Sequence, residues 1–167
     1  SSGSSAGRIE RRRRGIVAIA KPMTSCQPPD PDTRNPGIEL PAGACDAHCH
    51  IFGPAHRFPY AEGRTYTPPD APVEDFRRLQ HILGFERAVI VQASCCGTDN
   101  SAVLDAIAGS GGRYRGVAMV DESFTEAEFE RLHEGGVRGV RFAFARHLGH
   151  APDFGSVRRI AARIAPL

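Results

Sequence analysis

The stretch GACDAHCHIFGP, residues 43–54, carries the strongest pattern in this chain. In an extended strand successive side chains point to opposite faces, so Asp46, His48 and His50 are expected on one face and Cys45, Ala47 and Cys49 on the other. Two imidazoles and a carboxylate at a strand end make a candidate for metal ligation or acid–base chemistry, because histidine is the commonest metal ligand and titrates nearest neutrality. The competing reading is a partly exposed strand end with two incidental histidines. What the rest of the chain brings to the same place decides between them.

Downstream, residues 51–71 read as a loop rich in glycine, proline and polar residues, holding Tyr60 and Tyr66. Asp70 is placed to cap a helix with Pro72 in its first turn and Glu74 and Asp75 at the positive end of its dipole. Val73, Phe76, Leu79, Ile82 and Leu83 recur at helical spacing, and Gly84 ends the helix. RAVIVQAS (87–94) is apolar on both faces, as a parallel strand covered on both sides should be. The cycle repeats: Asp99 as cap for a helix with Val103, Leu104 and Ile107, Gly111 and Gly112 as its stop, then the strand YRGVAMV (114–120).

Thr125 and Glu128 form a capping box, with Phe124 and Phe129 at hydrophobic-staple positions. Gly135 and Gly136 precede a fourth strand, VRGVRFAF (137–144), and a last helix carries Val157, Ile160, Ala161 and Ile164 before Pro166. Strand and helix alternate four times, which predicts an α/β fold with a parallel sheet and right-handed crossovers. Ligands of such sheets gather at the carboxyl ends of the strands. His48, His50, Ser94, Asp121 and Arg141 fall there. Alternation groups Ile90, Gln92 and Ser94 on one face of the second strand, and Val137, Gly139, Arg141 and Ala143 on one face of the fourth. Charge at an inward strand end is costly unless paired, so Arg141 either meets a neighbouring carboxylate or awaits an anionic ligand.

The remainder constrains the class. At 167 residues the chain can build one domain with a core, and its 41% hydrophobic and 24% charged content is that of a globular protein. A net charge of +2 gives no strong pull toward nucleic acid or a membrane. Positive charge concentrates in Arg8 and Arg11 to Arg14, but no aromatic platform accompanies it, which disfavours a nucleic-acid arm. Residues 1–42, with dense proline and low hydrophobicity, read as a disordered or loosely ordered tail, and residues 43–167 as the folded unit. The chain opens on Ser1, and Met23 stands before a plausible native leader, so residues 1–22 are candidates for a non-native extension. RRRRGIVAIA (11–20) is too short and lacks the cleavage pattern of an export signal, and no run reaches the roughly 18 apolar residues of a membrane span. Five cysteines at irregular spacing read as reduced thiols, which predicts a cytoplasmic protein. Cys95 and Cys96 are adjacent and read first as packing thiols. A zinc ribbon from Cys45, His48, Cys49 and His50 is disfavoured, since alternation turns the cysteines away from the histidines.

With these residues assembled, the sequence resembles the amidohydrolase superfamily, in particular its metal-optional lactonase branch around 2-pyrone-4,6-dicarboxylate hydrolase. The resemblance runs from about Leu40 onward and rests on DAHCHIFGP (46–54), RFPYAEGRTYTPPDAP (57–72), LGFERAVIVQASCCGTDN (83–100), GRYRGVAMVD (112–121) and GVRGVRFAFARHLG (136–149). It implies a (β/α)8 TIM-type barrel, of which four strand–helix units are present here, whereas a complete barrel takes about 250 residues. It also implies that His48 and His50 are catalytic, and that Tyr66, Ser94 and Arg141 contact a carboxylated lactone. A planar guanidinium suits a carboxylate well. The family's second arginine falls at His147, with Arg146 beside it, and these two are the candidates for a further carboxylate contact. Cys96 replaces a frequent histidine and Ala143 a frequent asparagine, so substrate choice is expected to differ.

By the same resemblance, the histidine of a fifth strand and the water-activating aspartate of an eighth have no counterpart among these residues. The chain is therefore expected to be an N-terminal fragment of a lactone hydrolase, inactive alone. Cofactor expectations are none required, or one divalent metal, zinc or manganese, on His48 and His50. Two alternatives stand beside this reading: a metal-dependent decarboxylase or amidohydrolase of the same superfamily, and a non-catalytic half-barrel that self-associates through its exposed edge.

Overall fold

The structure is a computed structural model in which residues 24–144 and 153–167 are described. The arginine cluster at Arg8 and Arg11 to Arg14, and both Arg146 and His147, lie outside the described residues. In chain order the elements are β1 (Thr24–Ser25), β2 (Cys45–Cys49), β3 (Tyr66–Thr67), α1 (Val73–Leu83), β4 (Arg87–Val91), α2 (Ser101–Ala108), β5 (Tyr114–Met119), α3 (Glu126–Glu134), β6 (Val137–Arg141) and α4 (Phe154–Ile164). Four of the strands form one parallel sheet in the order β2-β4-β5-β6. The expected alternation of strand and helix is the architecture found. Within the stretch read as a tail, β1 pairs in parallel with β3.

Helices α1, α2 and α3 bury one stripe each against the sheet. Val73 and Phe76 of α1, Val103, Ala106 and Ile107 of α2, and Phe129 and Leu132 of α3 join Ala88, Ile90, Tyr114, Ala118 and Val137 in a single core. Phe76 meets Tyr114 edge-on at 5.9 Å between ring centroids, the arrangement that aromatic quadrupoles favour. Gly116 gives α2 its close approach, since a Cβ there would lie 2.9 Å from both Val103 and Ile107. The capping box on α3 is present in full, and the Phe124 and Phe129 rings staple it at 5.7 Å.

Two expected caps take other roles. Pro72 occupies the position before α1 with no side-chain cap. Asp70 instead accepts from Ala55 N–H and, at 3.2 Å, from the Tyr60 hydroxyl, pinning the loop after β2. Asn100, not Asp99, stands at the head of α2. Its amide turns away to donate to Met119 O at 2.8 Å, while Asp99 accepts from Ser101 N–H. At Asp70 a tertiary partner outcompetes the local cap, whereas Asp99 still serves the first turn of α2 from one residue further out. The second strand also stops at Val91 rather than Ser94, because residues 94–96 tighten into a 3₁₀ turn. The fourth strand stops at Arg141.

Register irregularities override the expected alternation at two strands. In β2, Asp46 pairs with Ala88 and Cys49 with Ile90, so three steps on one strand match two on the other. That bulge sets Asp46 and Cys49 on the same face, with Ala88 and Ile90, and Asp46 leaves the histidine side. In β6, Val137 pairs with Gly116 but Gly139 with Val117. Val137 therefore faces the helices, while Gly139 and Arg141 face the opposite side of the sheet.

Candidate active site

The carboxyl end of β4 is where the expected residues meet. His50, one residue past β2, uses Nδ1 to bond Val91 O at 2.7 Å. A carbonyl can only accept, so Nδ1 carries the proton and Nε2 of the neutral ring holds a lone pair. Burial is the main force lowering the His50 pKa from its ordinary value. The Val91 hydrogen bond opposes this, and His48 and Arg141 add to the lowering. His48 lies beside it, ring centroids 5.1 Å apart and nearly perpendicular, and Phe52 closes the other side at 5.8 Å.

Arg141 reaches the same spot from the far edge of the sheet. Its Nη1 donates to Gln92 O at 3.1 Å. Among the described residues no carboxylate lies within salt-bridge distance of Arg141, so the internal ion pair allowed by the sequence does not form there. Gln92 is buried, and its Nε2 donates to Gly97 O and Asp99 O at 3.1 and 2.6 Å. One residue thus presents a carbonyl to Arg141 and stiffens the turn carrying Ser94.

Ser94 Oγ lies 3.2 Å from the Tyr66 hydroxyl. Burial raises the Tyr66 pKa, so the phenol stays protonated. Ala93, Cys95 and Cys96 form a second buried cluster against which Phe52, Tyr60 and Tyr66 pack. The structure therefore brings His48 and His50 together, joins Tyr66 to Ser94, and ties Arg141 to the β4 end. It removes Asp46 from the group: Asp46 Oδ1 accepts from His48 N–H at 3.1 Å, and its charge helps to push the Cys49 thiol up to about 12, after burial. The roles of Val91 O and Gln92 O were invisible in the sequence, because every residue carries a carbonyl.

No group of three or more His, Cys, Asp or Glu side chains among the described residues is placed to hold a metal ion. Zinc usually takes three or four protein ligands, so His48 and His50 do not by themselves make a metal centre. A hollow of about 120 Å³ between α3, β6 and α4 is lined by Phe129, Leu132, Val140 and Ile164, with none of these site residues in its wall. Among the described residues no helix is long and apolar enough to cross a membrane.

The class of protein to which this parallel sheet with helices belongs is given by comparison with known proteins. Residues 45–167 match the amidohydrolase family, and the chain belongs to it. It is 51% identical over 132 residues to 2-pyrone-4,6-dicarboxylate hydrolase of Comamonas testosteroni, covering 79% of this chain and 43% of that protein. It is 45% identical to 4-sulfomuconolactone hydrolase of Rhizobium radiobacter over 119 residues, covering 71% and 40% respectively. A crystal structure of a probable 2-pyrone-4,6-dicarboxylic acid hydrolase from Acinetobacter baumannii, with citric acid bound, superposes with a TM-score of 0.66 at 28% identity. It covers 74% of this chain and 46% of that one. The corresponding Pseudomonas putida structure gives 0.64 at 33%, covering 76% and 46%. The fold is thus part of a TIM-type barrel, and the chain spans under half the length of the relatives it matches.

Proposed function

We propose that this chain supplies the substrate-binding half of a hydrolase that opens a carboxylated lactone. The observation that carries the reading is Arg141: a half-buried guanidinium, tied to one backbone carbonyl and with no carboxylate partner among the described residues, facing the same strand end as His50. Such a fork has donors left for an anionic ligand. Relatives named for pyrone dicarboxylate and sulfomuconolactone act on rings bearing acid groups, which supports the same substrate class here.

In this reading Arg141 holds the carboxylate, with Arg146 and His147 as further contacts, and the Ser94 and Tyr66 hydroxyls orient the ring. His50 cannot polarise the lactone carbonyl while neutral, since its only N–H is spent on Val91 O. Its Nε2 instead accepts from the attacking water, and His48 is left to donate to the carbonyl. The base that takes the water proton is a carboxylate outside these four units, as the resemblance implies, so this chain alone turns over negligibly. A zinc or manganese ion would need ligands beyond the two histidines, and no step is assigned to one.

Calorimetric titration of 2-pyrone-4,6-dicarboxylate into the protein and its Arg141→Met variant tests the binding claim. Binding that vanishes in the variant supports it; equal binding in both, or none in either, refutes it. Hydrolysis by the 167-residue chain at enzyme-like rates would refute the assignment of the base elsewhere.

A second reading rests on the sheet edges. The outer sides of β2 and β6 have no strand partner among the described residues, which supports pairing with another strand-bearing chain. A monomer at all concentrations in sedimentation would exclude it.

A further inference from the structure

Cys95 and Cys96 occupy the 3₁₀ turn that begins with Ser94, and nothing in the proposed hydrolysis uses them. Both thiols are free, their sulfurs are 4.0 Å apart, and the residues are 0% and 8% exposed. The turn is gripped from two sides: Ala61 N–H donates to Cys95 O at 2.8 Å, and Tyr66 meets Ser94. Gly97 closes it at φ +58°, where a Cβ would lie 3.1 Å from that of Ala61. The two sulfurs are therefore held side by side, with Cys96 the only one of the pair that reaches the surface at all.

We propose that Cys95 and Cys96 are a modification site: a dithiol that a hydroperoxide oxidises reversibly to a disulfide between neighbouring residues. The two thiols are unequal. Hydrogen bonding from the Cys96 thiol, assisted by Tyr66 and Arg64, outweighs burial and brings Cys95 down to about 7, while Cys96 is pushed up and keeps its proton. Cys95 is thus the nucleophile and Cys96 the resolving thiol.

In the first step the Cys95 thiolate attacks one peroxide oxygen. The O–O bond breaks, and the departing alkoxide or hydroxide takes up the proton Cys95 had released. Cys95 is now a sulfenic acid. Cys96 sulfur then attacks Cys95 sulfur, the S–O bond breaks, and hydroxide leaves as water with the Cys96 proton. Two thiols are oxidised and one peroxide is reduced, to an alcohol or water plus water. Full burial of Cys95 selects against bulky disulfide oxidants.

Adjacent α-carbons are about 3.8 Å apart across a trans peptide, below the roughly 4.4–6.8 Å usual for disulfides. The bridge is strained and so readily reduced, as a reversible switch requires. Closing the sulfurs displaces the turn and with it Ser94. That consequence for substrate binding rests on the role proposed for Ser94; the thiol chemistry does not.

The test is peroxide treatment of the native protein, followed by denaturation, alkylation and peptide mapping. The expected result is loss of two of the five thiols, both in the peptide holding Cys95 and Cys96, with a mass lower by two hydrogens and full recovery in dithiothreitol. With Cys96→Ser no resolving thiol remains, so a second peroxide should carry the Cys95 sulfenic acid on to a sulfinic acid, two oxygens heavier than the thiol and not recovered by dithiothreitol. Retention of all five thiols, oxygen gain at Cys95 in the wild type, or loss at Cys26, Cys45 or Cys49 instead would overturn the proposal. The wild-type map decides even where the variant fails to fold.

Discussion

His50 and Arg141 are fastened to consecutive carbonyls of one strand end, Val91 O at 2.7 Å and Gln92 O at 3.1 Å. They come from opposite edges of the four-stranded sheet. The end of β4 is therefore a shared anchor, and movement there displaces both. The Gln92 side chain, buried and bonded to Gly97 O and Asp99 O, braces the anchor from behind.

Burial makes His50 pH-sensitive in a defined direction, against the pull of the Val91 hydrogen bond. Burial leads in lowering its pKa from 6.5. Between the unfolded and folded values the unfolded chain binds the proton and the folded one does not, so acid favours unfolding there. The stability is intact above about 6.5, is lost as pH falls through the folded value, and declines no further from this group below it. Histidine proton resonances followed against pH should show His50 titrating below 6.5, and His50→Gln should flatten that part of the stability profile. A midpoint above 6.5 would contradict the burial argument.

Arg141→Lys keeps the charge and loses the fork. Hydrogen bonds to charged groups contribute about 1.5–3 kcal/mol, so losing one from a bidentate contact should weaken dicarboxylate binding roughly tenfold to a hundredfold. Titration calorimetry reads this directly, and an unchanged affinity would place the carboxylate elsewhere.

Tyr114 donates to Gln80 Oε1 at 2.6 Å in the core, where Gln80 Nε2 is buried with no partner among the described residues. Tyr114→Phe strands the acceptor as well and should cost about 1–3 kcal/mol. Combining it with Gln80→Met removes the stranded amide and should recover most of the loss. Urea unfolding of the two single variants and the double variant checks the sign of the coupling.

Gly53 sits at φ +74°, and a Cβ there would lie 2.3 Å from Asp70 Oδ1, the carboxylate that holds Ala55 and Tyr60. Gly53→Ala should destabilise by about 1–3 kcal/mol. Asp70→Asn, which keeps the shape, should cost less. Thermal melts of the two variants establish the order.

Thr125→Ala removes the cap of α3. With both arms of the capping box formed, the expected cost is about 1 kcal/mol. A neutral result in urea unfolding would mean that the Phe124–Phe129 staple holds the helix start unaided.

Thr125 and Asp70 show what a sequence can and cannot convey. Both carry the residue type of an N-cap. Thr125 fulfils it because its partner is three residues away on the same turn. Asp70 does not, because Ala55 and Tyr60 come back through the fold and take its carboxylate. The alternation of strands and helices, the helix positions and the histidine pair were legible because they follow from local periodicity and short-range geometry. The site's membership was only partly legible. Alternation correctly paired His48 with His50, but it assigned Asp46 to them as well, since a bulge depends on how two distant strands register.

By itself, then, the sequence determined the alternating strand–helix architecture, the start of α3, the histidine pair and the family, all of which are written in neighbouring residues. The tertiary structure alone decided that Asp46 leaves the site, that Arg141 keeps its charge unpaired among the described residues, and that His50 spends its proton on Val91. Each of these depends on a backbone group or a register contributed by a strand dozens of residues away, and no local pattern encodes that.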